Sequence, residues 1–345
     1  MIAAPNPRFQ VSYSWVVSLV ALVFMFALCS TSAEIKLTDD LSISGFLDMS
    51  SKTTTGGDDT EIGFSFDQFE LDFHLDQDSV TGRVDLHSSP GEHGNTGIKL
   101  EQAYVTYALP ESTVSGVSIK AGRFLSALGF ESDEPTGLYQ YSLSEGSPYP
   151  VYQNGIGVDI NPTKQLGIYV ALLSGVWDVN DTDIKDPGFE AQLALTPTEQ
   201  ITAKVGYAMD KMEDFSQSEL NAWAQFTQGP LTLAGEFDLL QNWGHEGENG
   251  IHYLGMANVS LADMIGAPVG VTLRFSGISL DEGEEDDGHG HAAPAADEDG
   301  ESSSSNEFTL SPSYSVTDNW LILAEFKQRI DKEETIIAVE SLFTF

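Results

Sequence analysis

Cysteine is nearly missing from this 345-residue chain; Cys29 is the only one. It lies in an apolar N-terminal stretch, so a chain without that stretch forms no disulfide and no thiolate metal site. Basic residues are scarce, 15 Lys and Arg against 53 Asp and Glu, a formal net charge of −38. A surface this acidic disfavours nucleic acid and anionic lipid as partners and attracts cations. After residue 33 no apolar run reaches the roughly 20 residues that a membrane helix needs. None of the seven histidines sits in His-Glu-x-x-His, no Gly-x-Ser-x-Gly occurs, and no glycine loop is built to cradle a phosphate. The chain carries no sign of an enzyme and implies no cofactor.

What is present begins with an export signal. Trp15 to Leu28 is apolar apart from Ser18, Arg8 precedes it, and Ser30-Thr31-Ser32-Ala33 follows. A basic start, a short apolar core and small residues read as a signal peptide over 1–33, cut after Ala33. Residues 34–345 are then the exported protein.

The rest of the chain alternates with a period of two, the mark of strands with two unlike faces. Phe69, Leu71, Phe73 and Leu75 alternate with Glu70, Asp72, His74 and Asp76. Leu231, Leu233, Phe237 and Leu239 oppose Thr232, Glu236 and Asp238, and Val271, Leu273 and Phe275 oppose Thr272, Arg274 and Ser276. Such runs recur from Leu41 to the C-terminus and predict about 16 strands, an even number suited to a transmembrane barrel. The links support this. Asn161-Pro162-Thr163-Lys164, Thr196-Pro197-Thr198-Glu199 and Gln228-Gly229-Pro230 are short turns, and they alternate with longer polar stretches at 50–63, 88–97, 125–153, 175–187, 210–217, 242–250 and 280–306. Short turns at one end and long loops at the other are what an antiparallel transmembrane β-barrel predicts. With no membrane helix available, a closed barrel is the other way to satisfy every backbone group in lipid.

The last dozen residues, Glu334 to Phe345, put Ile337, Val339, Ser341, Phe343 and Phe345 on one face and Ala338, Glu340 and Thr344 on the other. The stretch resembles the C-terminal strand of bacterial outer-membrane barrels, which ends in an aromatic residue. That resemblance implies that Phe343 and Phe345 form an assembly signal read by the barrel-assembly machinery. It also implies a place in the outer membrane, in contact with lipid and lipopolysaccharide.

A narrower resemblance is carried by Gly122-Arg123-Phe124, Leu128-Gly129-Phe130-Glu131 and Tyr139-Gln140-Tyr141-Ser142. These resemble segments of the OmpL-like β-barrel porin family, although Leu143 stands where that family often has a basic residue. The resemblance implies passive diffusion of small hydrophilic solutes or ions, and it is compatible with a homotrimer. In general porins the third external loop folds into the lumen, so 125–153 is the candidate constriction. It contains Glu131, Asp133, Glu134 and Glu145, and no Lys or Arg. The wall strands supply Lys120, Arg123, Arg83 and Arg274 as opposing charges, a transverse arrangement borrowed from general porins. Strict alternation from Val117 turns Arg123 outward, so its inclusion requires a β-bulge near Gly122. Four loop carboxylates at the narrowest point predict a modest preference for cations.

Two loops raise the question of metals. Residues 281–305 form an acidic, histidine-containing external loop that cannot bury a core and reads as disordered. Within it Asp286, Asp287, His289 and His291 are candidate loose metal ligands, against the plainer reading of a solvated acidic loop. Asp178 to Asp183 begins like a calcium loop but lacks its glycine and its closing glutamate, and reads as a polar loop. The rival to a porin is a non-conducting outer-membrane barrel, an adhesin, receptor or loosely metal-binding surface protein acting through its acidic loops.

Overall fold

The structure, a computed structural model, describes residues 34–55, 61–90, 96–112, 115–132, 134–178, 184–212, 215–281 and 304–345. The expected signal peptide, Asp133, the core of the calcium-like loop, and Asp286, Asp287, His289 and His291 lie outside the described residues.

Sixteen long strands follow one another: β2 (Leu41–Thr55), β3 (Glu61–Gln77), β4 (Val80–Pro90), β5 (Thr96–Ala108), β6 (Val117–Leu125), β7 (Tyr152–Thr163), β8 (Leu166–Leu173), β9 (Gly188–Thr198), β10 (Ile201–Lys211), β11 (Ser216–Gln228), β12 (Leu231–Gln241), β13 (Asn249–Ser260), β14 (Val269–Leu280), β15 (Ser305–Thr317), β16 (Trp320–Arg329) and β17 (Glu334–Thr344). A two-residue strand, β1 (Ile35–Lys36), adds to β2. Each long strand pairs antiparallel with the next, and β17 pairs with β2, so the sheet closes into a barrel with no free edge among these strands.

The alternation read from the sequence sets the two faces. On β12 Leu233, Phe237 and Leu239 are exposed while Thr232, Glu236 and Asp238 are buried. On β14 Leu273 and Phe275 are exposed while Thr272, Arg274 and Ser276 are buried. Apolar side chains thus cover the outside and polar ones fill the inside, the inverse of a soluble core. An apolar outer band costs nothing in contact with hydrocarbon. Among the described residues no helix is long and apolar enough to cross a membrane.

Two expectations need correction. The ends of the stretch 50–63 are strand and not loop: β2 continues to Thr55, β3 begins at Glu61, and Thr53 and Thr54 pair with Ile62 and Glu61. The backbone ladder runs past the alternation because pairing needs no apolar face, and Phe64 there is 90% exposed. The bulge expected near Gly122 is also absent; β6 pairs with β5 and β7 in unbroken register. Gly122 instead takes a φ of 133°, where a Cβ would meet the Ala103 carbonyl oxygen. The register shifts at five other places, three of them beside short turns and two within the wall of β2 to β5. On β3 Gln68 pairs with Asp48 and Phe66 with Met49, leaving Asp67 extra. On β5 Gln102 pairs with Asp85 and Leu100 with Leu86, leaving Glu101 extra. A bulge puts two neighbouring side chains on one face, and Glu101 and Gln102 are both buried.

The C-terminus is locked into the closing seam. Phe345 exchanges two backbone hydrogen bonds with Gly45, each 2.9 Å. Its ring stacks on Phe69 at 6.3 Å. Gly45 makes room for this: a Cβ there would press on the Glu70 carbonyl oxygen and stand 2.8 Å from Phe345 Cζ. Overpacking costs about 1–3 kcal/mol even where atoms can shift. Gly45→Val and deletion of Phe345 are therefore expected to reduce the heat-modifiable folded band on unheated gels. Gly255→Val, on the same outer face with nothing within 4 Å of the new Cβ, is the control that should leave the band unchanged.

Candidate functional site

Between β6 and β7, residues 126–151 do not stand up from the barrel rim. They cross its inside, and the wall holds them by their backbone. Glu190 on β9 accepts hydrogen bonds from Ser126 Oγ (2.6 Å) and the Ala127 N–H (2.7 Å), and from Gln153 Nε2 on β7 (2.8 Å). Leu128 then joins Phe124, Tyr169, Ala171, Leu173, Val176 and Ala208 in an apolar cluster. The Phe130 N–H donates to Glu236 on β12 at 2.8 Å. The Phe130 ring stacks on Tyr139 and meets Trp223 edge-on at 5.6 Å. Farther on, Ser142 donates from N–H (3.1 Å) and Oγ (2.7 Å) to Glu325 on β16. Tyr141 reaches past β17 to the next strand, its hydroxyl 3.1 Å from Ser50 Oγ on β2.

Arg274 is the centre of this arrangement. It is 1% exposed. Nη1 donates to Glu131 Oε1 and to the Ser142 carbonyl, both at 2.7 Å, and Nη2 to Glu307 at 2.7 Å and to the Leu143 carbonyl at 3.1 Å. Glu131 in turn accepts from the Ser144 N–H at 2.8 Å and from Gln140. Lys327 Nζ completes the group, 3.1 Å from Glu307 and 3.2 Å from the Leu143 carbonyl oxygen. A guanidinium with five fixed donors serves two carboxylates and two carbonyls at once, which a lysine does not.

Ser144, His252 and Asp238 fall into the hydrogen-bond order of a hydrolytic triad: Ser144 Oγ lies 3.1 Å from His252 Nε2, and His252 Nδ1 lies 2.7 Å from Asp238 Oδ2. The surroundings oppose that chemistry. All three are buried, and the Ser144 N–H faces the Glu131 carboxylate where an oxyanion would need a donor. The trio fastens the loop to β13.

The remaining expected residues are placed as follows. Glu145 ion-pairs with Arg329 and, at 3.4 Å, with Lys332. Glu134 accepts from the Tyr152 hydroxyl at 3.1 Å, and burial together with the charge of Glu101 pushes its carboxyl up to about 7. Arg83 makes its direct ion pairs on its own wall, with Asp85 at 2.7 Å, Asp72 (3.6 Å) and Glu70 (3.9 Å). Lys120 lies over the rings of Tyr104, Phe124 and Tyr169, 5.2 to 5.9 Å from their centroids. Arg123 donates from Nε to the Glu101 carbonyl oxygen at 2.8 Å and lies over the Tyr152 ring. The structure therefore brings Glu131 and Arg274 together in a direct ion pair, while among the described residues Lys120, Arg123 and Arg83 make no direct ion pair with Glu131, Glu134 or Glu145. The anchors Glu190, Glu236, Glu307 and Glu325 were not singled out from the sequence; their one signal was that each falls on the polar face of an alternating strand.

The sequence profile of the β-barrel porin-2, OmpL-like family matches residues 52–341. The chain belongs to this family. Among solved structures, this porin is similar to OprB of Pseudomonas putida (TM-score 0.68, 13% identity, 96% of this chain and 97% of that one). It is similar also to OmpF of Salmonella typhi (TM-score 0.67, 12% identity, 90% and 100%). A third is the outer-membrane channel DcaP of Acinetobacter baumannii (TM-score 0.65, 12% identity, 89% and 97%). At these identities the likeness is one of fold. No curated protein matches the chain. Family and fold together make this protein a channel of the bacterial outer membrane for small solutes.

Arg274→Met should release the constriction loop of the porin. Breaking a buried ion pair from one side costs about 3–5 kcal/mol because the other charge stays buried and unpaired; here Glu131 is left without a cation, while Glu307 keeps Lys327. The expected result is new protease cleavage within 126–151 and a larger, noisier single-channel conductance, with the barrel still heat-modifiable.

Proposed function

We propose that the channel passes small hydrophilic solutes and ions by passive diffusion, with a modest preference for cations. The observation that supports it is the unequal use of charge around the lumen. Glu131 and Glu145 are matched by Arg274, Arg329 and Lys332, so these loop acids contribute little net field. On the side of β2 to β5, Asp48, Glu70, Asp72, Asp85 and Glu101 share one stretch of wall with Arg83. With 29% of its side chain exposed, Arg83 is in reach of lumen water. Fixed negative charge in a narrow, low-dielectric passage concentrates cations.

The acidic loop 281–305 is a weaker source of selectivity, since charges beyond a Debye length of about 8 Å are screened at physiological salt. The chain is exported on the signal 1–33 and assembled through Phe343 and Phe345 by the barrel-assembly machinery, among lipid and lipopolysaccharide; a homotrimer is compatible with the family. A second reading rests on the loop itself, whose bonds to β9, β12, β14, β16 and β2 follow half of the wall and also suit a closed lumen. A barrel closed this way would serve as an adhesin or receptor.

Single-channel recording in a salt gradient separates these readings. Discrete steps with a reversal potential on the cation side are expected, and a barrel without steps is the closed one. Asp48→Asn with Asp72→Asn should move the reversal potential toward zero, Arg83→Gln should move it further to the cation side, and deletion of 283–301 should change it little. An anion-selective wild-type channel overturns the charge argument.

A further inference from the structure

The acidic wall of β3 to β5 contains a cluster that loop anchoring does not use. Glu70 on β3 and His87 on β4 are directly opposed in the ladder. Glu101 is the extra residue of the β5 bulge, turned in beside them. Ligand atoms of the three lie within 4.8 Å of one another. His87 Nδ1 is 2.7 Å from Glu101 Oε1.

The Glu70 carboxylate is only half engaged by donors. Glu70 is 1% exposed, and its Oε1 has no hydrogen-bond partner. Arg83 Nη2, the cation beside it, stands 3.9 Å away, while that guanidinium's Nε is committed to Asp85 at 2.7 Å. The Glu101 carboxyl is likewise buried, with the Glu70 carboxyl and the Tyr152 hydroxyl as its further neighbours. Glu70 Oε2 is held by Gln68 Nε2 at 2.9 Å, which fixes the plane of the carboxylate and aims Oε1 into the cluster. The contrast is the other buried His–carboxylate group, Glu236, Asp238 and His252. There Asn221 donates to both carboxylates, the Phe130 N–H to Glu236, and Ser144 engages the imidazole.

Buried carboxylate oxygens with no donor are costly unless a proton or a cation sits between them. Two carboxylates and one imidazole, on three adjacent strands of a rigid wall, are the donor set of a divalent transition metal. Imidazole favours Zn²⁺ over Ca²⁺ and Mg²⁺, and three protein ligands leave an open fourth position. Gln68 stands as the outer partner that orients a ligating carboxylate. The His87 and Glu101 side chains each keep 12% exposure, so an ion has an entry from the lumen.

We propose that Glu70, His87 and Glu101 form a Zn²⁺-class metal site on the lumen wall. An ion held there replaces part of the negative wall by fixed positive charge, and its open position takes a water or an anion. Occupancy therefore lowers the cation preference of the pore.

The test is isothermal titration of ZnCl₂ into the folded full-length barrel after removal of metal by chelation, which requires no conduction. One Zn²⁺ per chain is expected, with equal concentrations of Ca²⁺ or Mg²⁺ failing to compete. His87→Ala and Glu101→Gln should each weaken binding by roughly ten- to a hundredfold, with folding checked by heat-modifiability. Glu101→Gln keeps the shape and decides the matter if His87→Ala does not fold. Replacing His289 and His291 by Ala should leave this binding unchanged. In bilayers Zn²⁺ should shift the reversal potential of the wild type toward zero and leave Glu101→Gln unmoved. Absence of Zn²⁺ binding in the wild type overturns the proposal. So does binding that persists in Glu101→Gln and disappears in the His289 and His291 variant, since the metal then sits on the external loop.

Discussion

In hydrocarbon a backbone N–H or C=O has no water to turn to, so a sheet that crosses the membrane must have no edge. The pairing of β17 with β2 meets that demand here, and much else depends on it. Closure separates an outside that lipid can cover from an inside that it cannot. Inward positions of every strand then have to be settled among themselves. Even the terminal residue is drawn in, with Phe345 laid over Gly45 so that the last backbone groups of the chain pair within the seam.

The inside is settled largely with carboxylates. A loop of 26 residues lying across a lumen exposes N–H groups that strand pairing cannot reach. Glu190, Glu236, Glu307 and Glu325 stand at fixed positions on the wall and accept from them. Hydrogen bonds to an ionised acceptor contribute about 1.5–3 kcal/mol each. The same acids would repel one another if nothing offset them, and Arg274 and Lys327 do so where Glu131 and Glu307 converge. Much of the acidic excess is thus scaffolding. On the proposed reading, the charge left over lies on the side of β2 to β5, where Asp48, Glu70, Asp72, Asp85 and Glu101 share the wall with Arg83.

On that side the wall also departs from strict alternation away from its turns. The bulges at Asp67 and Glu101 each add a carboxylate to the inward set. A bulge changes local chemistry without changing strand count or closure, which makes it an economical way for one barrel plan to carry different lumens.

The fold was legible because its signal is local. Side chains of a strand alternate every second residue whatever the strand pairs with, so the sixteen strands, their polar and apolar faces, and the third loop as the long one could be read in order. The polar set of each strand, including Glu70, Asp85, His87, Glu236 and Arg274, could be placed on one face in the same way. Which of these residues meet was not legible. Arg274 and Glu131 are 143 residues apart, and Ser142 and Glu325 are 183 apart. Their contact depends on the path of the loop through the lumen, which no periodicity encodes. Nor does a sequence mark where one strand has a residue too many for its partner: Glu101 reads as one more alternating position until β4 and β5 are set in register. The sequence alone therefore determined the barrel and the sign of its charge, because both follow from composition and short-range geometry. Only the tertiary structure decided which carboxylates hold the loop and which meet an Arg or Lys, because those are matters of distance across the lumen.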